Sequence, residues 1–332
     1  MRGKMTVFLV LLALCAAVAC FGQEGELAET HKNPFTLFFP LGYDLIKLAD
    51  QTVHSPAGGA GFMIGEQDLP FTEVERRFFA LALYQPFIFT NSPGPDMPEL
   101  YHEISGLFDG RIKRHQLLFI LKSSSDKPIA GGLHTFQIGA GWGYEVIRKQ
   151  HVSLILGAAL AVSDFGMTLP SGAVWPVLPL PLVRFGIDAK WFASSFDFLT
   201  GPNFDFTVAP QSKFRLTGET RMDNYRSLDG LICEFTLWYR LFDSENKLGD
   251  FAGIGVGFKN DVKEFDLSKN SGRAESFALL ERAVFAAIDL SILRIQGGWA
   301  FDSYYLLDGE RNGGPGRGFF ISVQGMVPIS IR

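Results

Sequence analysis

Hydrophobic and polar residues alternate with a period of two over most of this chain. The clearest run sets Thr135, Gln137, Gly139, Gly141, Gly143 and Glu145 against Phe136, Ile138, Ala140, Trp142, Tyr144 and Val146. A polar spell, Arg148-Lys149-Gln150-His151, interrupts it. The alternation then resumes with Val152, Leu154, Leu156, Ala158, Leu160 and Val162 on one face and mostly small or polar residues on the other. Such a pattern predicts strands whose two faces meet different media, joined here as a β-hairpin. Counting these two, at about 131–148 and 151–165, strands are predicted at about 71–90, 111–123, 182–197, 203–222, 230–243, 250–263, 276–289, 291–306 and 316–331. Many exceed the ~9 to 11 residues that cross a bilayer at a tilt, whereas globular strands centre on about 5 or 6.

Four segments fit this rhythm less well. Residues 33–50 are aromatic-rich with Leu41, Leu45 and Leu48 near helical spacing, which suits a plug-like helix or a first strand. Pro56 and the glycines at 58, 59, 61 and 65 mark 54–65 as a loop or turn. Pro170, Pro176, Pro179 and Pro181 argue against a mid-sheet strand, because proline cannot donate to a ladder; an apolar loop at the membrane interface is expected there, in preference to an inward-folded constriction or lateral hatch. Residues 275–287 are rich in helix formers, but Val284, Ala286 and Ile288 lead into the alternation of Leu293, Ile295, Gly297 and Trp299, so strand is preferred.

Periodicity does not say which face meets which medium, and the charged rows supply that argument. Arg184, Asp188 and Lys190 oppose Val183, Phe185, Ile187 and Trp191; Lys213, Arg215, Glu219 and Arg221 form a second row, and Glu234 and Arg240 a third. Interleaved acids and bases suit the watery interior of a membrane barrel. They also suit the outer face of a soluble sandwich. Strand length and the placing of Trp142, Tyr144, Trp191, Trp238, Tyr239, Tyr304 and Tyr305 near strand ends favour the membrane, where such rings form interfacial belts. The nine charged residues named are therefore the lumen-lining candidates. Bases outnumber acids among those from Lys213 to Arg240, which predicts a weak anion preference.

The N-terminus reads as a signal peptide over 1–19: Met1-Arg2-Gly3-Lys4 is basic, Val7 to Val18 is apolar, and Ala17-Val18-Ala19 is a small-x-small cleavage site. Cys20 follows directly and could accept a lipid, although Ala17 stands where lipoproteins carry a large aliphatic residue. Residues 20–57 are expected to form an N-terminal, plug-like segment and 58–332 the barrel. With 47% hydrophobic residues, 32 phenylalanines and a net charge of −5, the chain can bury a large apolar surface and has no basic footprint for nucleic acid. No later stretch approaches the ~18 apolar residues of a membrane helix.

Chemistry is sparse. Gly139-Ala140-Gly141-Trp142-Gly143 and Gly253-Ile254-Gly255-Val256-Gly257 lie within strands rather than at a strand-to-helix turn, so neither is a nucleotide fingerprint. Six scattered histidines offer no metal-ligand spacing. His54 and Ser55 are adjacent, and on an extended backbone adjacent side chains point to opposite faces, a poor arrangement for proton transfer. No enzyme activity, metal or cofactor is expected.

Taken together, the pattern resembles bacterial outer-membrane β-barrels of the porin-like sort, with residues 201–206 (Gly-Pro-Asn-Phe-Asp-Phe) and 221–226 (Arg-Met-Asp-Asn-Tyr-Arg) as its distinctive stretches. The resemblance implies an all-β, antiparallel up-and-down transmembrane barrel of about 12 strands, within a range of 10 to 14. It also implies a passive channel or transporter for small solutes in the outer membrane, with membrane lipid and the barrel assembly machinery as partners. Two alternatives stay open: a surface-exposed structural or adhesive barrel with a packed lumen, and a fatty-acid-type transporter with an apolar pathway. Such barrels usually close on an aromatic residue, whereas this sequence closes Val327-Pro328-Ile329-Ser330-Ile331-Arg332, a departure that bears either on the closing strand or on the standard form of the assembly signal. Substrate and oligomeric state are not legible.

Overall fold

The computed structural model describes residues 35–65, 76–94, 97–128, 134–163, 175–198, 202–222, 231–241, 252–268, 276–290 and 292–331. The expected signal peptide, residues 1–19, and Cys20 lie outside them. The strands are β1 (Phe35–Leu48), β2 (Thr52–Ile64), β3 (Arg76–Phe89), β4 (Leu100–Ile112), β5 (His115–Ser125), β6 (Gln137–Lys149), β7 (Val152–Val162), β8 (Val177–Ala189) and β9 (Phe192–Phe198). They continue with β10 (Pro202–Val208), β11 (Phe214–Met222), β12 (Leu231–Arg240), β13 (Ala252–Asp266), β14 (Ser276–Leu290), β15 (Leu293–Leu307), β16 (Glu310–Arg311) and β17 (Gly318–Ile331).

All seventeen belong to one sheet, and each long strand pairs antiparallel with its neighbours. The sheet closes on itself where β1 meets β17, from Phe35 opposite Ile331 to Leu48 opposite Gly318. Since β16 is two residues long and pairs only with β15, the closed ring is β1 to β15 plus β17, sixteen strands. The expected count of about 12 is corrected accordingly.

Each source of the difference has a physical reason. Residues 35–57, placed by sequence ahead of the barrel, form β1 and the start of β2 within its wall. The glycines that mark 54–65 as a loop are instead spacers: a Cβ on Gly61 would lie 2.3 Å from the Phe38 ring, so the glycine lets that ring lie flat across the strand. β4 shows little alternation because Tyr101 and Leu107 share a face with Glu103 and Asp109. The stretches 182–197 and 203–222 each hide a turn. Lys190-Trp191 separates β8 from β9, and residues 209–213 separate β10 from β11.

The exclusion of Pro179 and Pro181 from a strand is also corrected, since both lie in β8 opposite Leu160 and Ala158 of β7. β9 pairs with β8 only from Arg184 to Ala189. Among the described residues, the first half of β8 therefore has a ladder neighbour on one side alone, which is where proline's missing N–H is tolerated.

Side-chain burial is inverted relative to a soluble protein. Leu41, Leu156, Leu160, Val256 and Trp299 are exposed on the outer face, while Asp109, Gln116, Glu145, Lys259 and Glu281 are buried inside. Water on the outside would make that costly; hydrocarbon makes it favourable. A closed ladder leaves no edge to fray, so the protein purified in mild detergent is expected to migrate faster on SDS gels unheated than boiled. Equal mobility, with solubility in the absence of detergent, would contradict the membrane reading.

One end, the turn end, carries both Phe35 and Ile331 and the turns 113–114, 150–151, 190–191 and 209–213, and the chain also passes there from β2 to β3 and from β12 to β13; the other, the loop end, carries the turn 49–51 and the segment 308–317 and is where β3, β5, β7, β9, β11 and β13 finish. At this loop end the ring is drawn together. β5 and β13, eight strands apart in either direction, meet at Ser125 and Asp266. The Ser124 hydroxyl donates to the Glu264 carbonyl at 2.6 Å, and the Asp126 carboxylate accepts from the Ser268 N–H and hydroxyl at 2.8 Å each. Beside this clasp the interior is packed with Phe87, Phe89, Tyr101, Phe265, Phe277 and Tyr305, all at most 9% exposed.

Candidate solute chamber

Alternation carries one set of side chains on β9 to β13 inward, and in-register pairing sorts them into rungs. Nearest the turn end Arg215 faces Trp238, and above it Thr207, Thr217 and Thr236 stand side by side. Next come Asp205, Glu219 and Glu234, three carboxylates on neighbouring strands, followed by Asn203 and Arg221. Like charges directly opposite on a ladder are destabilising. The carboxylate rung is tolerable because bases surround it: Arg294 is paired with Glu234, and the Arg221 guanidinium lies 3.9 Å from Glu219.

Opposite these strands stand β1, β2, β15 and β17, and between the two walls lies a chamber of about 290 Å³. Its acids are Asp44, Glu219, Glu234 and Asp261; its bases are Arg221, Lys259, Lys263 and Arg294. Lys263 is 3.2 Å from Asp261. Lys259 is 2.8 Å from Glu281 and sits 3.6 Å from the centre of the Phe320 ring. Gln85 donates to Asp44 at 3.1 Å and to Ser55 at 2.8 Å, fixing that carboxylate on the far wall. Ser322, Gln324 and Gln296 supply neutral polar lining. Buried charges are stable only when paired or well hydrogen-bonded, and these meet that condition largely by pairing with each other.

A second charged group crosses the interior elsewhere. Arg77 of β3 lies 3.4 Å from Asp109 of β4, Arg184 of β8 is 3.1 Å from the same carboxylate, and Arg184 also pairs with Asp197 of β9. Gln116 of β5 donates to Asp109 at 2.8 Å. Arg184 reaches across β5, β6 and β7 to do this, so the wall from β4 to β8 curls tightly around its own contents. There Leu182, 1% exposed, lies against the space left by Gly141 and Gly143, where a Cβ would come within 3.1 Å of its methyl groups.

The lumen-lining candidates divide accordingly. Glu219, Arg221 and Glu234 meet in the chamber. Arg184 belongs to the crossing group. The Arg215 guanidinium lies 6.0 Å from the Trp238 ring, which Arg294 approaches to 5.4 Å. Asp188 is half-buried near the turn end, Lys190 is exposed in the β8–β9 turn, and Lys213 is exposed in the β10–β11 turn, where its carbonyl accepts from the Arg240 N–H. Arg240 in turn donates to the Pro210 carbonyl at 3.0 Å. His54 bonds to Tyr43 while Ser55 bonds to Gln85, each with partners the other does not reach.

Sequence reasoning missed Lys259, Asp261 and Lys263, although their spacing of two on β13 was a legible charged row. Asp44, Asp197 and Arg294 gave no such warning, being single charges among apolar or small neighbours, and Asp109 lies on a face where Tyr101 and Leu107 mask the charged spacing of Glu103 and Arg111. With them included, the chamber holds as many acids as bases, so the count behind an anion preference does not describe it.

No protein-family model matches the sequence, and no curated protein matches it. Among solved structures the chain is similar to the outer membrane protein OprD of Pseudomonas aeruginosa, at 12% identity over 91% of this chain and 94% of that one, with a TM-score of 0.36. It is also similar to OccK5 (OpdH) of Pseudomonas aeruginosa, at 11% identity over 90% and 98% with a TM-score of 0.34. A third similar structure is OccAB4 of Acinetobacter baumannii, at 11% identity over 91% and 99% with a TM-score of 0.36.

Proposed function

We propose that this protein is an outer-membrane channel for small polar solutes, with the chamber as part of its passage. The observation that carries the reading is the inversion of the barrel: an apolar exterior suited to lipid around an interior wall lined with paired charges and hydroxyls. The turn end, which holds both Phe35 and Ile331, is the periplasmic side in this reading, since four of its connections are turns of two to five residues and outer-membrane barrels keep their short turns on that side. Single-channel recording in a planar bilayer tests it. Stepwise conductance is expected, with a reversal potential near zero in a salt gradient because acids and bases balance in the chamber. Arg221 and Glu219 are each about half exposed, so solvent screens their charges and each can be removed singly without a large folding penalty. Arg221→Gln should shift selectivity toward cations and Glu219→Gln toward anions. The aromatic core at the loop end favours a second reading, a structural barrel with a packed lumen. A parent protein that folds but never conducts would select it.

A further inference from the structure

We infer that the passage is confined to one side of the barrel, along the inner face of β9 to β12 and the wall of β1 and β17 that faces it, and that the other two compartments carry no solute. This rests on the channel reading above. Burial separates the three regions. At the loop end the interior from β13 round to β4, the loop-end halves of β1 and β17 included, is closed by the clasp and the ring core, where Phe277 alone lies within 6.1 Å, centre to centre, of Phe89, Tyr101, Phe265 and Tyr305. From β4 to β8 it is tied by Arg77, Asp109, Arg184 and Gln116 and packed by Leu182. Clear of both, the inward residues Ser195 of β9, Glu219 of β11 and Gln324 of β17, the last towards the turn end, stay exposed.

That open face is also the one whose side chains are arranged at a cost. Three adjacent carboxylates repel one another, and packing gives no reason for them, since Glu219 is half exposed. A solute on this route passes the half-buried Thr207 and Thr217, with Thr236 buried behind them, then the carboxylate rung with Arg221 and Arg294 beside it. The sequence of groups suits small solutes bearing hydroxyls or both signs of charge, and disfavours apolar ones.

Cysteine modification distinguishes the routes. In a background with Cys20 and Cys233 replaced by alanine, whose own current is the reference, Ser195→Cys and Gln324→Cys mark the proposed passage. Gly139→Cys and Ser153→Cys mark the inner face of β6 and β7, where Gly139 has room for a side chain, its nearest neighbour being 3.9 Å away. Each folded variant, verified by heat-dependent mobility, is exposed to a bulky cationic methanethiosulfonate reagent during recording. Current should fall at least about twofold at 195 and 324 and stay unchanged at 139 and 153. An equal or greater fall at 139 and 153 overturns the assignment while leaving the channel intact. Folded protein that never conducts, reference included, overturns the channel reading and the route together.

Discussion

Replacing Phe277 by alanine is expected to cost about 3 to 5 kcal/mol, the range for deleting a buried aromatic ring from a core that cannot collapse around the gap. The ring is 1% exposed and touches four others drawn from four further strands and both sides of the clasp. Its neighbours are held by ladders on rigid strands, so little relaxation can fill the space. Unfolding in denaturant, followed by the loss of heat-dependent mobility, should show the midpoint falling with its steepness unchanged. A loss under about 1 kcal/mol would mean that the rings do not form a packed core inside the barrel.

Arginine in place of Leu156 should cost about 2 to 4 kcal/mol, as a charge on the lipid face near the bilayer midplane does. Leu156 is the fifth of eleven residues of β7 and is 43% exposed on the outer wall. Ser195→Arg, on the inner wall, should cost far less because its charge stays beside water and Asp205, whose carboxylate already accepts from Ser195 at 3.2 Å. A larger penalty at Ser195 than at Leu156, measured by the same unfolding assay, would show that the faces have been assigned the wrong way round.

Much of this architecture was legible in the sequence because hydrocarbon and water impose opposite demands on alternate residues. The hairpin of β6 and β7 shows it best: Ala140, Trp142, Leu156 and Leu160 are exposed, Gly143 and Glu145 buried. The strand reading of 276–289 held for the same reason, Val284, Ala286 and Ile288 being the exposed set of β14. Legibility failed where the interior is apolar too. β4 lost its alternation because its inward Tyr101 helps to fill the lumen, and β2 because its inward glycines make room for a ring. Of the chamber, only the residues on charged rows were visible. Asp44 and Arg294 belong to it by virtue of the ring's closure, a fact of three dimensions that no local spacing encodes.

The seam between β1 and β17 has a consequence for how the protein is made. Its fourteen matched residues join positions nearly three hundred apart in the chain, so the last contact to form spans almost the greatest sequence separation available. Contacts of that separation slow folding because the chain must lose its entropy before they repay it. Until they form, the sheet presents two long unpaired edges, which a bilayer's interior does not tolerate. The partly built barrel must therefore either assemble at the membrane surface or have those edges covered by another protein until β17 arrives.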